Sequence, residues 1–267
     1  MGLMGGRTAW PIWVVTGLVM AFLAAPSLLV IAMSFSGGRF LEFPPRTLSL
    51  RWYEAYWSSS AWWNASVRSL QVAVVVTLLA TTLGTLASIA LVRLAVPGKS
   101  ALRALFISPI MVPTIVLSIG LYNIYARWRL IGSAAGLVLA HTVLALPFVV
   151  LNVSAVLYKL DRSLERAARS LGAGPLRTFA TVMLPLLWPG IASGAIFAFL
   201  ISFDEIVVAM FVSGSNPTLP KLMFDGIRYE LNPVVAAVSS QLIAVTTLAL
   251  LASAWLRRRT ERITGGA

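Results

Sequence analysis

An all-α, polytopic membrane helix bundle is the fold class the sequence predicts, and three observations carry that reading. Of the 267 residues, 58% are hydrophobic and only 11% are charged, against about 25% charge in soluble domains. Mean hydropathy is +0.86. The chain also divides into six runs free of Asp, Glu, Lys and Arg, at 8–38, 69–92, 104–126, 130–158, 178–203 and 231–256. Each exceeds the roughly 17 residues that a helix needs to cross a bilayer. So little charge cannot clothe a water-soluble globule of this size.

Run 8–38 reads as an uncleaved first span starting near Trp10. It is too long for a signal peptide, and no small-x-small cleavage site precedes polar sequence. Trp52, Tyr53, Tyr56, Trp57, Trp62 and Trp63 crowd the segment before the second run. Aromatics of this kind belong at headgroup level, so a membrane-surface helix is the plain reading and a docking surface for a soluble partner the sharper one. Tyr122, Tyr125 and Trp128 close the third run, either as an interfacial belt or as rings that stack on a cation. His141, the single histidine, reads as a packing residue in the fourth span. Gly132-x3-Gly136 and Gly190-x3-Gly194 have the spacing of close helix contacts. The fifth run continues past Asp204-Glu205 into 206–211, which puts two acids inside a helix or at its edge.

The net charge is +12. A nucleic-acid binder would gather that charge on a soluble face, whereas here Lys and Arg lie between apolar runs, so no nucleic acid is expected. They read as topology signals. Six spans put both termini on one side, and Arg257, Arg258, Arg259 and Arg262 assign that side to the cytoplasm. The same side then holds Arg7, Arg93, Lys99, Arg103, Lys159, Arg162, Arg166, Arg169 and Arg177, the larger share of the basic residues. There is no cysteine, hence no disulfide or thiolate metal site. H-E-x-x-H, G-x-S-x-G and any acid/base cluster are missing, so no metal, catalytic residue or enzyme activity is expected. A stand-alone secondary transporter remains the competing class.

The segment between spans four and five carries the most information. It reads Leu164-Glu165-Arg166-Ala167-Ala168-Arg169-Ser170-Leu171-Gly172-Ala173-Gly174-Pro175 and leads to Val182-Met183-Leu184-Pro185. Asp161 or Ser163 caps a short helix with Glu165 or Arg166 in its first turn. Gly172 or Gly174, with Pro175, stops it. This stretch resembles the signature E-A-A-x3-G-x9-I-x-L-P of ABC importer permeases. Ala167 and Ala168 fall on the two alanines, Gly172 on the glycine, Val182 on the isoleucine, and Leu184-Pro185 on the last pair. The first position is Arg166, with Glu165 just before it. Either Glu165 supplies the acidic contact from a shifted angle or the partner differs.

The resemblance implies a helix that docks in a groove of a cytoplasmic ATPase, with Glu165, Arg166, Ala167, Ala168, Gly172, Leu184 and Pro185 as the coupling residues. No G-x4-G-K-[ST] loop occurs in the chain, so ATP and Mg would be bound by that separate subunit and no cofactor by this one. Two such ATPases, a second related permease, an extracytoplasmic solute-binding protein and membrane lipid are the implied partners. Residues 1–63 form an N-terminal helix with an interfacial segment, 64–256 the permease core, and 257–267 a basic tail. The stretches Asn64-Ala65-Ser66-Val67-Arg68, Ser202–Phe211, Thr218-Leu219-Pro220 and Asn232-Pro233 are similar to the second permease of spermidine/putrescine importers. That likeness implies a polyamine solute, with iron(III), thiamine, opines and phosphonates handled by relatives that share much of the pattern. Asp204, Glu205 and Tyr122 are the candidate pathway residues. Acids at membrane depth face a cavity or a partner, so Asp204 either meets a cationic solute or forms a structural ion pair, for example with Arg228.

Overall fold

The computed structural model describes residues 9–95, 97–230 and 232–264, the side chains at 9, 249, 250 and 252–264 apart. Arg7 and the side chains of Arg257, Arg258, Arg259 and Arg262, which carried the topology reading, lie outside the described residues. The described chain is helical, with one isolated antiparallel bridge between Ser36 and Leu48. It forms two compact units, Met1–Trp63 with Asp225–Ala267, and Asn64–Phe224.

In the first unit, α1 (Ala9–Ser34) is apolar and exposed through most of its length, as a helix bathed in lipid would be. It packs on the helix Val234–Thr264, as does the short helix α2 (Arg51–Ser58). One phenol ties all three. Tyr53 Oη lies 2.7 Å from Ser34 Oγ and 2.8 Å from Ser240 Oγ. The aromatic segment is thus only partly an interfacial belt. Tyr56 and Trp62 are buried, whereas Trp57 and Trp63 are exposed.

The second unit is built around three helices, α3 (Ser60–Arg93), which begins in the first unit, and two more that face each other. Between them the predicted third span is not one helix. α4 (Lys99–Met111) and α5 (Thr114–Trp128) meet at a bend of 104°. Pro113 explains the break, because it has no N–H to donate and it forces Val112 out of the helical region, to φ −85°, ψ 129°. The central helix α6 (Ala134–Lys159) turns Ala145, Val149, Val153 and Leu157 inward, a ridge with four-residue spacing. After α7 (Arg162–Ser170) and α8 (Pro175–Thr178), a single π-helical turn, Phe179–Met183, leads into α9 (Leu184–Phe203). Leu184 N–H donates to Phe179 O, five residues back. Pro185 accounts for this widening, since its ring would clash with the carbonyl four residues earlier.

α9 lays Gly190, Gly194 and Ala198 against α6. A Cβ at Gly194 would stand 3.1 Å from Val149 Cα, and one at Gly190 2.8 Å from Val156 Cγ2. On α3, a Cβ at Gly84 would come 2.7 Å from Val149 Cβ. Without a hydrophobic drive between helices in lipid, such small-residue contacts are what allow close packing. The other predicted pair differs. Gly132 lies in the turn before α6 with φ +79°, and a Cβ at Gly136 would collide with Leu130 O, so this spacing serves a turn.

α9 ends at Phe203 and the chain restarts as α10 (Val207–Val212), so the fifth span does not continue through the acids. α11 (Leu219–Asp225), a second π-helical turn at Gly226–Glu230 and α12 (Val234–Thr264) complete the chain. Among the described residues, four helices are each long and apolar enough to cross a bilayer, Trp10–Ser34, Ser60–Arg93, Ala134–Lys159 and Pro175–Phe203. α4 and α5, bent by 104°, pass the same test only when taken together. In α12 the apolar stretch with described side chains is Val234–Leu248, while the helical backbone runs on to Thr264.

Gly194→Val should cost about 1–3 kcal/mol by overpacking the α6 contact and lower the melting midpoint in detergent. Gly120→Ala, where nothing lies within 4 Å of the new Cβ, should not lower it.

Candidate functional site

α7 is held in one orientation by its own ends. Asp161 Oδ1 accepts from Ser163 N–H at 2.8 Å, which caps the helix. That backbone bond, the Ser163 hydroxyl and the fields of Arg166 and Arg93 hold the Asp161 carboxyl below the usual carboxylate range. At the other end Gly172 adopts φ +85°, a left-handed conformation that favours glycine. Gly172 N–H donates to Arg169 O at 2.9 Å and Ala173 N–H to Ala168 O at 3.0 Å, the paired bonds of a Schellman stop. Of the two glycines proposed as the stop, Gly172 is therefore the one used. Pro175 opens α8, where its missing N–H costs nothing.

The helix is also tied to its neighbours. Arg93, at the last residue of α3, places Nε 2.7 Å from Glu165 Oε1. The N–H is not aligned on that oxygen, so this is a close ion pair rather than a directed hydrogen bond. The two side chains are only 9% and 12% exposed. Arg93 Nη2 also donates to Leu160 O at 2.9 Å, and Arg162 Nη2 donates to Val92 O at 3.0 Å. Two guanidinium groups thus satisfy carbonyls at the C-terminal ends of α3 and α6, where a helix dipole favours positive charge. Glu165 and Ala168, three residues apart, form the partly buried face of α7, while Arg166, Ala167, Arg169 and Ser170 are exposed. Leu171 and Leu176 follow at 89% and 83% exposure. The sequence reading missed Arg93, which it had counted only as a topology charge.

A second site lies at the break after α9. Glu205 is buried. Its Oε1 accepts from Val207 N–H at 3.0 Å and its Oε2 from Ala209 N–H at 3.1 Å. It thereby caps α10 and satisfies donors that an apolar surrounding would leave orphaned. His141 of α6, fully buried, has Nδ1 3.1 Å from Ser202 Oγ and Nε2 3.8 Å from Glu205 Oε2. His141 therefore bridges α6 to both sides of the break, more than the packing role expected of it. The two neighbouring acids diverge: Asp204 is exposed and Glu205 points inward. On α5, Tyr122 is exposed, while Tyr125 is buried and not available as a stacking surface.

At the opposite end of α3 from Arg93, Arg68 Nη2 donates to Gly132 O at 3.0 Å and Gly132 N–H donates to Val212 O at 2.8 Å. Ser69 Oγ accepts from Leu219 N–H at 2.8 Å. These contacts tie the turn before α6 to the segment after α10.

A capped, rigid helix between two spans, followed at fixed distance by a proline-led span, is the arrangement the permease signature describes. Residues 80–262 match the family described as binding-protein-dependent transport system inner membrane component. The chain belongs to that family. It is 31% identical over 264 residues to the putrescine transport system permease protein PotI of Escherichia coli (strain K12), covering 96% of this chain and 93% of that one. It is 30% identical to the spermidine/putrescine transport system permease protein PotC of Haemophilus influenzae, covering 91% and 94%. Its fold matches a chain from the crystal structure of a bacterial ABC transporter involved in import of the acidic polysaccharide alginate. That match has a TM-score of 0.73, 16% identity, and covers 95% of this chain and 99% of the other. This member of the permease family is thus an all-α membrane transport component, in which α7 occupies the signature position and Glu205 the break of the fifth span.

Glu205→Ala should remove the two carboxylate oxygens that accept from the Val207 and Ala209 N–H groups and destabilise the permease by about 1–3 kcal/mol. Asp204→Asn should leave the melting midpoint unchanged. A midpoint equally low in both variants would count against the capping role.

Proposed function

We propose that this chain forms half of the translocation pathway of an ATP-driven importer for polyamines, working with a second related permease. Its α7 is the coupling helix, seated on one of two cytoplasmic ABC ATPases that bind and hydrolyse ATP with Mg. An extracytoplasmic binding protein delivers the solute. Both termini and α7 then lie on the cytoplasmic side of the inner membrane, and residues 64–256 act as the permease core. The observation that carries this reading is α7 itself. It is a short helix with its ends fixed and one face unoccupied, continuous through α8 and the π-helical turn with Leu184-Pro185 and the fifth span. Force applied there reaches the bundle through packed elements with no slack, which alternating access requires.

The two curated relatives named for putrescine and spermidine/putrescine support a polyamine solute. So does charge. Asp204 offers an exposed carboxylate beside the helix break, and Tyr122 an exposed ring on α5. A polycation suits both groups. Glu205 serves the pathway from behind, by fixing the break that presents Asp204.

Ala167→Trp, which adds bulk on an exposed position of α7, should abolish solute-stimulated ATP hydrolysis in the reconstituted complex while the permease keeps its melting midpoint. Hydrolysis at the wild-type level would remove α7 from the ATPase contact. Asp204→Asn should raise the KM for spermidine uptake about tenfold, the loss of one charge-assisted contact. An unchanged KM for spermidine and putrescine would exclude Asp204 from the pathway.

A further inference from the structure

We propose that the ATPase surface receiving α7 is an acid-lined groove with an apolar floor, the reverse of the contact that the signature acid would make. The inference rests on the coupling role of α7 given above and specifies the chemistry of its partner.

Glu165, the one acid within α7, is taken up inside the subunit, 2.7 Å from Arg93 and turned toward α3. It is not presented to a partner. The position that the signature gives to glutamate holds Arg166, which is exposed. Arg169 and Arg177 are exposed beside it. Arg162 is engaged with Val92 O, and Asp161 is engaged as the helix cap. What remains outward from the α7–α8 loop is three guanidinium groups around Ala167, Leu171 and Leu176, the two leucines almost wholly exposed. Guanidinium groups in a partly dehydrated contact need carboxylates, and planar forked donors suit bidentate pairing. The leucines need an apolar floor, and large exposed apolar side chains rimmed by charge mark a docking surface. Anionic lipid headgroups would also attract arginines. Their attraction needs no fixed geometry, however, whereas α7 is held rigid by its cap, its Schellman stop and the Arg93 pair.

The test uses the whole complex, captured on a tag at the permease from its native membranes, with ATP hydrolysis and mass identifying the ATPase. Arg166→Lys should allow a zero-length carbodiimide to join this position to an ATPase carboxylate, giving a permease–ATPase adduct absent from the wild type. Arg166→Glu with Arg169→Glu should reduce ATPase retained at physiological salt at least fivefold. Since surface charge reversals leave the buried Arg93 pair intact, the melting midpoint should not move. Retention unchanged in the double reversal would overturn the acid-lined groove, as would no adduct from a complex that still holds its ATPase. Loss of binding to phosphatidylglycerol vesicles with ATPase retention intact would also overturn it and assign the arginines to lipid. A wild-type complex that lacks any ATPase would instead sink the coupling reading beneath it.

Discussion

Hydrocarbon offers no hydrogen bonds, so every place where a spanning helix stops must bring its own partners. Three interruptions among the described residues of the second unit show this, and each is resolved differently. At Val112–Pro113 the missing donor belongs to proline itself and the chain turns through 104°. At Phe179–Met183 the helix widens to π geometry and keeps its bonds. At 204–206 the helix ends outright, and Glu205 supplies acceptors for Val207 and Ala209. Only the third requires a buried acid, and only there does a buried histidine stand next to it. The constraint explains why Glu205 faces inward while its neighbour faces out.

The same requirement governs the α7 end of the bundle. α3 and α6 each finish with carbonyls that no helical N–H can reach, and Arg162 and Arg93 satisfy them. The arginines thereby become structural, and Glu165 balances one of them. A buried ion pair gains little net stability, because desolvation offsets much of the attraction. What it contributes is direction, since removing either partner strands the other. At the centre, Val149 is pressed from both sides, by Gly84 of α3 and Gly194 of α9. The three helices therefore share one narrow contact layer that has no room for added side chains.

Much of this was legible in the residues. Apolar runs mark the spans because a bilayer imposes a length, and the α7 loop was readable because Asp161, Gly172 and Pro175 each have a local backbone meaning. The bend at Pro113 was legible in principle, but the unbroken apolar run from 104 to 126 outweighed a single proline. The inward turn of Glu205 was half legible. Adjacent helical residues point about 100° apart, which separates the two acids but does not say which one is inside. That choice depends on His141 and Ser202, 61 residues apart in sequence and brought within hydrogen-bond reach only by the fold. The Arg93–Glu165 pair was invisible for the same reason, and the charge of Arg93 had an adequate explanation as a topology signal. The Gly132 spacing misled because a four-residue interval serves a turn as readily as a helix face.

Arg93 and Arg68 sit on the same uninterrupted helix, about 37 Å apart at roughly 1.5 Å per residue. One end holds α7, and the other holds the turn that bonds to the segment after α10. A straight helix resists axial compression far better than bending. Displacement of α7 along that axis would therefore arrive at the far turn nearly undiminished, as in a push rod. A sideways displacement would meet the close Gly84–Val149 contact midway. An uninterrupted α3 would thus pass a stroke along its axis more readily than one across it.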